Sequence, residues 1–198
     1  MSAKHKNEVK DLDVGTEAKA YVATQIELDR ALERLVTELE EAGKLDKTVF
    51  VLLADHYPYA LSHGSVNSLS SYKRDSVVEI NHNALIIWNS QMEETHIKKT
   101  CMSVDVLPTV LNLFGANYDS RVFTGKDILS NSQGIAIMRN LSWVTDKGTY
   151  FASSGKFVAK EDEEIPENYV DNINSIVKNR LNIAKLIVKT NYYKYLYE

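Results

Sequence analysis

The sequence predicts an α/β fold: a largely parallel central sheet flanked by helices, then a small C-terminal antiparallel β-meander and a C-terminal helix. Three observations predict it. The wholly apolar run Val49-Phe50-Val51-Leu52-Leu53-Ala54 is short and unbroken by polar residues. Such a run suits a strand buried on both faces, as in a parallel sheet. An amphipathic stretch precedes it directly, which reads as the helix-to-strand half of a βαβ unit. Between Gly134 and Ala159, four strand-like runs alternate with turn sequences, the pattern of a meander.

Residues 1–15 are polar and expected to be loose. From Thr16 to Gly43 the spacing predicts a long helix. Tyr21, Leu28, Leu32, Leu35, Leu39 and Ala42 recur at three- and four-residue steps on one face. Gly43 is the natural stop, because glycine takes the left-handed conformation at a helix end without steric cost. Tyr59 to Glu79 is polar and serine-rich and reads as a surface excursion. Asn83 to Trp88 reads as a second core strand. Asp105 is placed to cap a helix running to Phe114, with Pro108 in its first turn, where no helical hydrogen bond is lost. Gly115 closes that helix.

Gly134–Arg139, Leu141–Thr145, Thr149–Ala152 and Lys156–Ala159 make up the meander. Asn140, Asp146-Lys147-Gly148 and Ser153-Ser154-Gly155 form its turns. Pro166 to Tyr192 reads as an amphipathic helix with Tyr169, Ile173, Ile176, Val177, Ala184, Ile187 and Val188 facing inward. The organisation is thus one domain over residues 1–198. An α/β part occupies 16–130, the meander 131–160 and the last helix 166–195.

Composition narrows the function classes. A net charge of −4 gives no support to a nucleic-acid partner. No apolar stretch approaches the length of a membrane span, and the polar Met1–Lys6 start lacks a signal-peptide core. The single cysteine, Cys101, excludes an internal disulfide and a cysteine-rich zinc site.

Asp55-His56 is the pair that carries chemistry. It stands at the end of the apolar run, and ligands of open α/β sheets gather at the carboxyl ends of strands. A carboxylate and an imidazole offer one oxygen and one nitrogen to a divalent metal. On local grounds alone a helix cap or a turn explains the pair better. Tyr57, Pro58 and Tyr59 read as the rim of a site, and a reading in which Pro58 ends the strand and the tyrosines pack is compatible with it. His63 lies close by in a polar loop, where a histidine is usually solvated. Trp88 and Trp143 read as packing residues, and His82 reads as structural. His5 and His96 have no supporting context.

The wider pattern decides more. Ala54-Asp55-His56-Tyr57-Pro58-Tyr59-Ala60-Leu61 is followed by Ala84-Leu85-Ile86-Ile87-Trp88-Asn89. The run from Ser103 to Gly115 and then Phe123-Thr124-Gly125-Lys126-Asp127-Ile128-Leu129-Ser130 complete it. In order and spacing these segments resemble the C-terminal half of the sulfatase-like catalytic domain of lipoteichoic acid synthases. These are membrane phosphoglycerol transferases of Gram-positive bacteria, within the alkaline phosphatase superfamily. The resemblance runs from about Thr16 to the C-terminus.

It implies an alkaline phosphatase-like fold, present in part. It implies that Asp55 and His56 ligate a divalent metal, Mn²⁺ before Mg²⁺, Zn²⁺ or Ca²⁺. A threonine nucleophile and a glutamate ligand are expected outside this chain, as are transmembrane helices that hold the protein at the outer face of the cell membrane. Tyr57, Tyr59 and His63 are the expected substrate contacts. The implied substrate is phosphatidylglycerol or a polyglycerolphosphate, with no nucleic acid. Self-association through uncovered apolar surface is a further expectation. Two other readings stand beside this one: a sulfatase or phosphodiesterase of the same superfamily, and a non-catalytic sulfatase-like binding domain.

Overall fold

The structure, a computed structural model, describes residues 4–198 apart from the side chain of Tyr197. It divides into two compact units, residues 1–96 and 97–198.

In the first unit, residues 4–14 form successive turns. Expected to be loose, they instead bury His5 and Val9; the first three residues lie outside the described part. Helix α1 spans Thr16–Glu41 and buries Ala18 and Ala23. The expected leucine stripe is less covered, with Leu28 and Leu35 exposed. Gly43 adopts φ +62° and ends the helix as read from the sequence. A 3-10 turn at Leu45–Lys47 feeds β1, Phe50–Leu53. Helix α2, His63–Ser68, lies in the segment expected to be an excursion, and β2 follows at Leu85–Trp88.

Strands β1 and β2 pair antiparallel, with Phe50 opposite Trp88 and Leu53 opposite Leu85. This corrects the expected parallel relation. A parallel neighbour requires a crossover back to the starting end of the first strand, usually by a long helix. The connection over residues 54–84 contains only the six-residue α2 and a 3-10 turn at Glu79–Asn81. It returns the chain at the end where β1 stopped. The expectation of burial on both faces is corrected too: Phe50 is buried, but Leu53 is exposed and Ile86 is 51% exposed.

The second unit begins with a 3-10 turn at Ser103–Asp105 and helix α3, Val106–Leu113. Asp105 is at the cap position, yet its carboxylate does not cap α3. Oδ2 accepts from the Met102 amide at 2.9 Å and Oδ1 from the Lys126 amide at 2.8 Å. Thr109 Oγ1 donates to the Asp105 carbonyl and accepts from the Ile128 amide. The two stretches from Ser103 and from Phe123 are therefore stitched together around a buried carboxylate. Gly125 is obligatory there, since a Cβ would stand 1.8 Å from the Val104 carbonyl oxygen.

Strands β3 (Ile135–Ile137), β4 (Trp143–Thr145), β5 (Gly148–Phe151) and β6 (Lys156–Ala159) form the expected antiparallel meander in sequential order. Helix α4, Tyr169–Thr190, packs Tyr169, Ile173 and Val177 into a core with Ile135 and Trp143. Trp143 is fully buried among Tyr150, Phe157 and Tyr169, and its indole N–H donates to Asn174 Oδ1 at 2.9 Å. Leu181 also packs against this core, and of the expected inward residues Ala184 and Ile187 are half-buried while Ile176 and Val188 are exposed. Asn191, at φ +51°, separates α4 from a last helix α5, Tyr192–Tyr197. Among the described residues no helix is long and apolar enough to cross a membrane.

Candidate functional site

Strand β1 ends at Leu53, and the chain bends at Asp55 and His56. Pro58 then opens a turn closed by the Leu61 amide on the Pro58 carbonyl at 3.0 Å. In a continuing strand the two side chains would point to opposite faces; the bend brings them together. Asp55 Oδ1 accepts from the His56 amide at 2.9 Å, and Oδ2 stands 3.4 Å from His56 Nε2. Both side chains are open to solvent, Asp55 86% and His56 43%.

The imidazole is fixed in a way that suits a ligand. His56 Nδ1 lies 2.7 Å from the Tyr57 carbonyl oxygen, which can only accept, so Nδ1 carries the proton. Nε2 of the neutral ring then keeps its lone pair and faces the Asp55 carboxylate. Metal-bound histidines commonly hold their second nitrogen this way. Bonds to a shared cation of about 2.0–2.2 Å place neighbouring ligands about 2.8–3.6 Å apart, and the observed 3.4 Å falls inside that interval. The pair therefore fits a divalent ion with one oxygen and one nitrogen. Among the described residues no group of three or more His, Cys, Asp and Glu is arranged to hold a metal.

The aromatic residues divide their work. Tyr59 stacks on the His56 ring at 4.0 Å and 5° between planes, and Tyr57 meets Tyr59 edge-on at 4.6 Å. Tyr59 thus buttresses the imidazole, a role the sequence did not reveal, because stacking depends on the turn at Pro58. Tyr57 and Pro58 line a cleft of about 230 Å³ shared with Tyr21, Arg74 and His82. His63 begins α2, and its Nε2 donates to the Arg74 carbonyl at 2.8 Å. His82 Nδ1 lies 3.1 Å from the hydroxyl oxygen of Tyr72, which donates its own proton to Glu79 Oε2 at 2.8 Å.

Two residues that sequence reading passed over hold this region. Glu17 of α1 accepts from the Ser62 amide at 3.1 Å, the Ser62 hydroxyl at 2.7 Å and the Ser65 hydroxyl. These bonds, the one from Ser65 foremost, hold its carboxyl below the usual glutamate value. Arg74 donates to Ser70 Oγ at 2.8 Å and to the Glu79 and His82 carbonyls at 3.1 and 2.5 Å. Nothing in the spacing marked either one among the many charged residues of the chain.

An exposed carboxylate–imidazole pair at the carboxyl end of a strand is a centre suited to metal-assisted group transfer. The chain belongs to the sulfatase family, whose family model, described as Sulfatase, matches residues 3–116. Within that family it is similar to lipoteichoic acid synthases. It is 28% identical to lipoteichoic acid synthase 2 of Bacillus subtilis over 171 residues, 81% of this chain and 26% of the relative. It is 26% identical to lipoteichoic acid synthase of Staphylococcus saprophyticus over 136 residues, 66% of this chain and 21% of the relative. The chain thus spans about a quarter of the length of these curated relatives. The fold is that of the lipoteichoic acid synthase LtaP from Listeria monocytogenes, with a TM-score of 0.64 at 20% identity. That match covers 94% of this chain and 49% of the other. The mixed α/β architecture, the meander and the C-terminal helix agree with the alkaline phosphatase-like fold expected from the sequence.

Proposed function

We propose that this chain forms part of a metal-dependent phosphoglycerol transferase that uses phosphatidylglycerol-type donors to build a lipoteichoic acid-like polymer at the outer face of a membrane. The observation that carries the reading is the Asp55–His56 pair, fixed at 3.4 Å, in a sulfatase-family chain whose relatives include lipoteichoic acid synthases. Asp55 Oδ2 and His56 Nε2 are the atoms that hold the ion, Mn²⁺ in first place. A bound divalent cation supplies neutralisation of the transferred group's charge. The residues of this chain position and orient: Tyr57 O fixes the His56 tautomer and Tyr59 its ring plane. Tyr57 lines the cleft that takes the substrate headgroup in this reading, and Tyr59 and His63 are its further substrate contacts.

Two measurements test this. Mn²⁺ binding to the 198-residue chain, followed by electron paramagnetic resonance of the free ion, is expected to be weak and to disappear in Asp55→Asn. Glycerol phosphate transfer from a fluorescent phosphatidylglycerol is to be assayed with the whole product of the gene. It is expected to require Asp55 and His56, and full transfer by Asp55→Asn at limiting Mn²⁺ sinks the reading. A second reading, hydrolysis of a sulfate ester or phosphodiester, is favoured by the family's description as Sulfatase. Release of free sulfate or of an alcohol, with no polymer extension, selects it.

A further inference from the structure

The second unit forms, from its own residues alone, a small pocket with an unusual charge pattern. Lys99, Lys126 and Arg180 border it, together with Asp105, Asp127 and Cys101. The enclosed space is about 10 Å³, room for one water-sized group. Three cations stand against two carboxylates there, in a chain whose net charge is −4.

Both carboxylates are already spent, and not on the cations. Asp105 accepts from the Met102 and Lys126 amides at 2.9 and 2.8 Å. Asp127 Oδ1 accepts from the Leu129 amide at 2.9 Å, and Oδ2 from the Asn112 side-chain amide at 2.8 Å. Lys99 is spent as well: its ammonium donates to the Ser130 carbonyl and, at 3.1 Å, to the Ile128 carbonyl. The side chains of Lys126 and Arg180 meet no acceptor among the described residues. Lys126 is exposed, but Arg180 is half-buried. A guanidinium that gives up part of its hydration without gaining an acceptor is unfavourable. Its nitrogens are still open, since among the described residues no buried side-chain nitrogen or oxygen lacks a partner. An acceptor can therefore reach it from solvent.

The pocket is held in shape. Arg180 follows Val177 by three residues on α4, and Val177 and Leu181 both pack in the core of this unit. The Lys126 backbone is fixed by the Asp105 carboxylate. Gly134 passes so close to residue 100 that a Cβ would stand 2.2 Å from the Thr100 carbonyl oxygen. An anion with several oxygens suits the two free cations, because a guanidinium fork takes two oxygens in parallel and an ammonium acts as a point charge.

We infer that this pocket binds a phosphate-type oxyanion, with one oxygen in the enclosed space and the rest of the group meeting Arg180 and Lys126. Only one oxygen has to enter, so a phosphodiester between two glycerols fits as well as free phosphate does.

Cys101 supplies the readout. It is the single cysteine of the chain and lines the same pocket, so its alkylation by the uncharged reagent N-ethylmaleimide reports occupancy. Inorganic phosphate is expected to slow the alkylation of the 198-residue chain saturably, whereas chloride at equal ionic strength is not. Glycerophosphoglycerol is expected to protect as phosphate does; protection by phosphate without the diester supports the site and assigns it to the free ion. Arg180→Gln and Lys126→Gln are each expected to raise the half-protecting concentration at least about ten-fold. Their melting temperatures are expected to match the parent's, because neither side chain has a partner to lose. Isothermal titration with phosphate is expected to give the same constants without use of the thiol. Asp55→Asn is expected to be protected as the parent is, and loss of protection there moves the anion to Asp55 and His56 and overturns the inference. Equal slowing by chloride overturns it too, as does protection that survives both substitutions, or the absence of both protection and heat.

Discussion

The proton on His56 Nδ1 is held by the Tyr57 carbonyl at 2.7 Å, and this hydrogen bond turns Nε2 toward Asp55. The local backbone therefore selects the tautomer before any ion arrives. Two lone-pair-bearing atoms 3.4 Å apart gain from a cation placed between them. Asp55→Asn keeps the shape and removes the charge. It is expected to lower Mn²⁺ affinity at least about ten-fold without a change in melting temperature, since Asp55 is almost fully exposed. Unchanged affinity by isothermal titration removes Asp55 from the site.

Tyr59 supports the same ring from its face at 4.0 Å. Outer partners of metal ligands typically contribute about 10–100-fold to metal affinity. Tyr59→Ala is expected to lose an effect at the lower end of that range, and Tyr59→Phe to retain it, because the stacking needs the ring and not the hydroxyl. A Phe variant as weak as the Ala variant assigns the role to the hydroxyl instead.

Glu17 joins α1 to the start of α2 through Ser62 and Ser65, so it anchors the loop that follows Asp55 and His56. Its carboxyl is held below the ordinary value of 4.5 by those bonds. The stabilisation is thus present above about 4.5 and is lost as pH falls through the lowered value in the folded chain. Glu17→Gln is expected to speed hydrogen exchange at the Ser62 and Ser65 amides at neutral pH and to erase its acid dependence. Exchange that stays slow in the variant shows that the serines are held by something else.

In the second unit Trp143 is the residue on which the meander and α4 converge. Truncation of a fully buried tryptophan costs about 3–5 kcal/mol. Trp143→Ala is expected to unfold the meander cooperatively, read as loss of near-ultraviolet dichroism at a lower denaturant midpoint. Trp143→Phe is expected to recover part of the loss but to leave Asn174 Oδ1 without its donor. A midpoint unchanged in the Ala variant places the core elsewhere.

Periodicity made α1, the meander and α4 legible, because each is a local repeat whose residues meet neighbours close in the chain. The Asp55–His56 pair was legible as a position, at the end of an apolar run. What the pattern could not carry was the direction of β2. Strand direction depends on where residues 54–84 return, and the apolar runs Phe50–Leu53 and Leu85–Trp88 look alike in either direction. Partners far apart in sequence were equally silent: Glu17 with Ser65, and Asp105 with Lys126. Asp105 read as a helix cap because the residues after it form a helix. Only the return of the Lys126 amide shows that its carboxylate is spent on joining two loops.

His5 illustrates the same limit and yields a pH prediction. It is 1% exposed, with Nδ1 2.5 Å from Glu8 Oε1 and Nε2 2.6 Å from Glu27 Oε1. Lys4 also reaches Glu27, and Arg30 of α1 reaches Glu8 at 3.0 Å. The two carboxylates, Glu8 first, raise the imidazole above its ordinary 6.5. Lys4 and then His5 lower Glu27 from 4.5 to about 2. A raised histidine contributes stability that is complete below 6.5 and lost as pH rises through its folded value. A lowered glutamate contributes stability that is complete above 4.5 and lost as pH falls toward about 2. Docking of residues 4–14 on α1 is therefore expected to be tightest between those two ordinary values and to loosen on either side. Trypsin cleavage after Lys6 and Lys10 reads this directly on the basic side: it is expected to accelerate as pH rises through the His5 titration, beyond the protease's own pH dependence measured on an unstructured peptide. His5→Gln is expected to cleave quickly and without that step. A parent chain whose corrected cleavage rate is flat across the titration shows that the imidazole is not what fastens the segment.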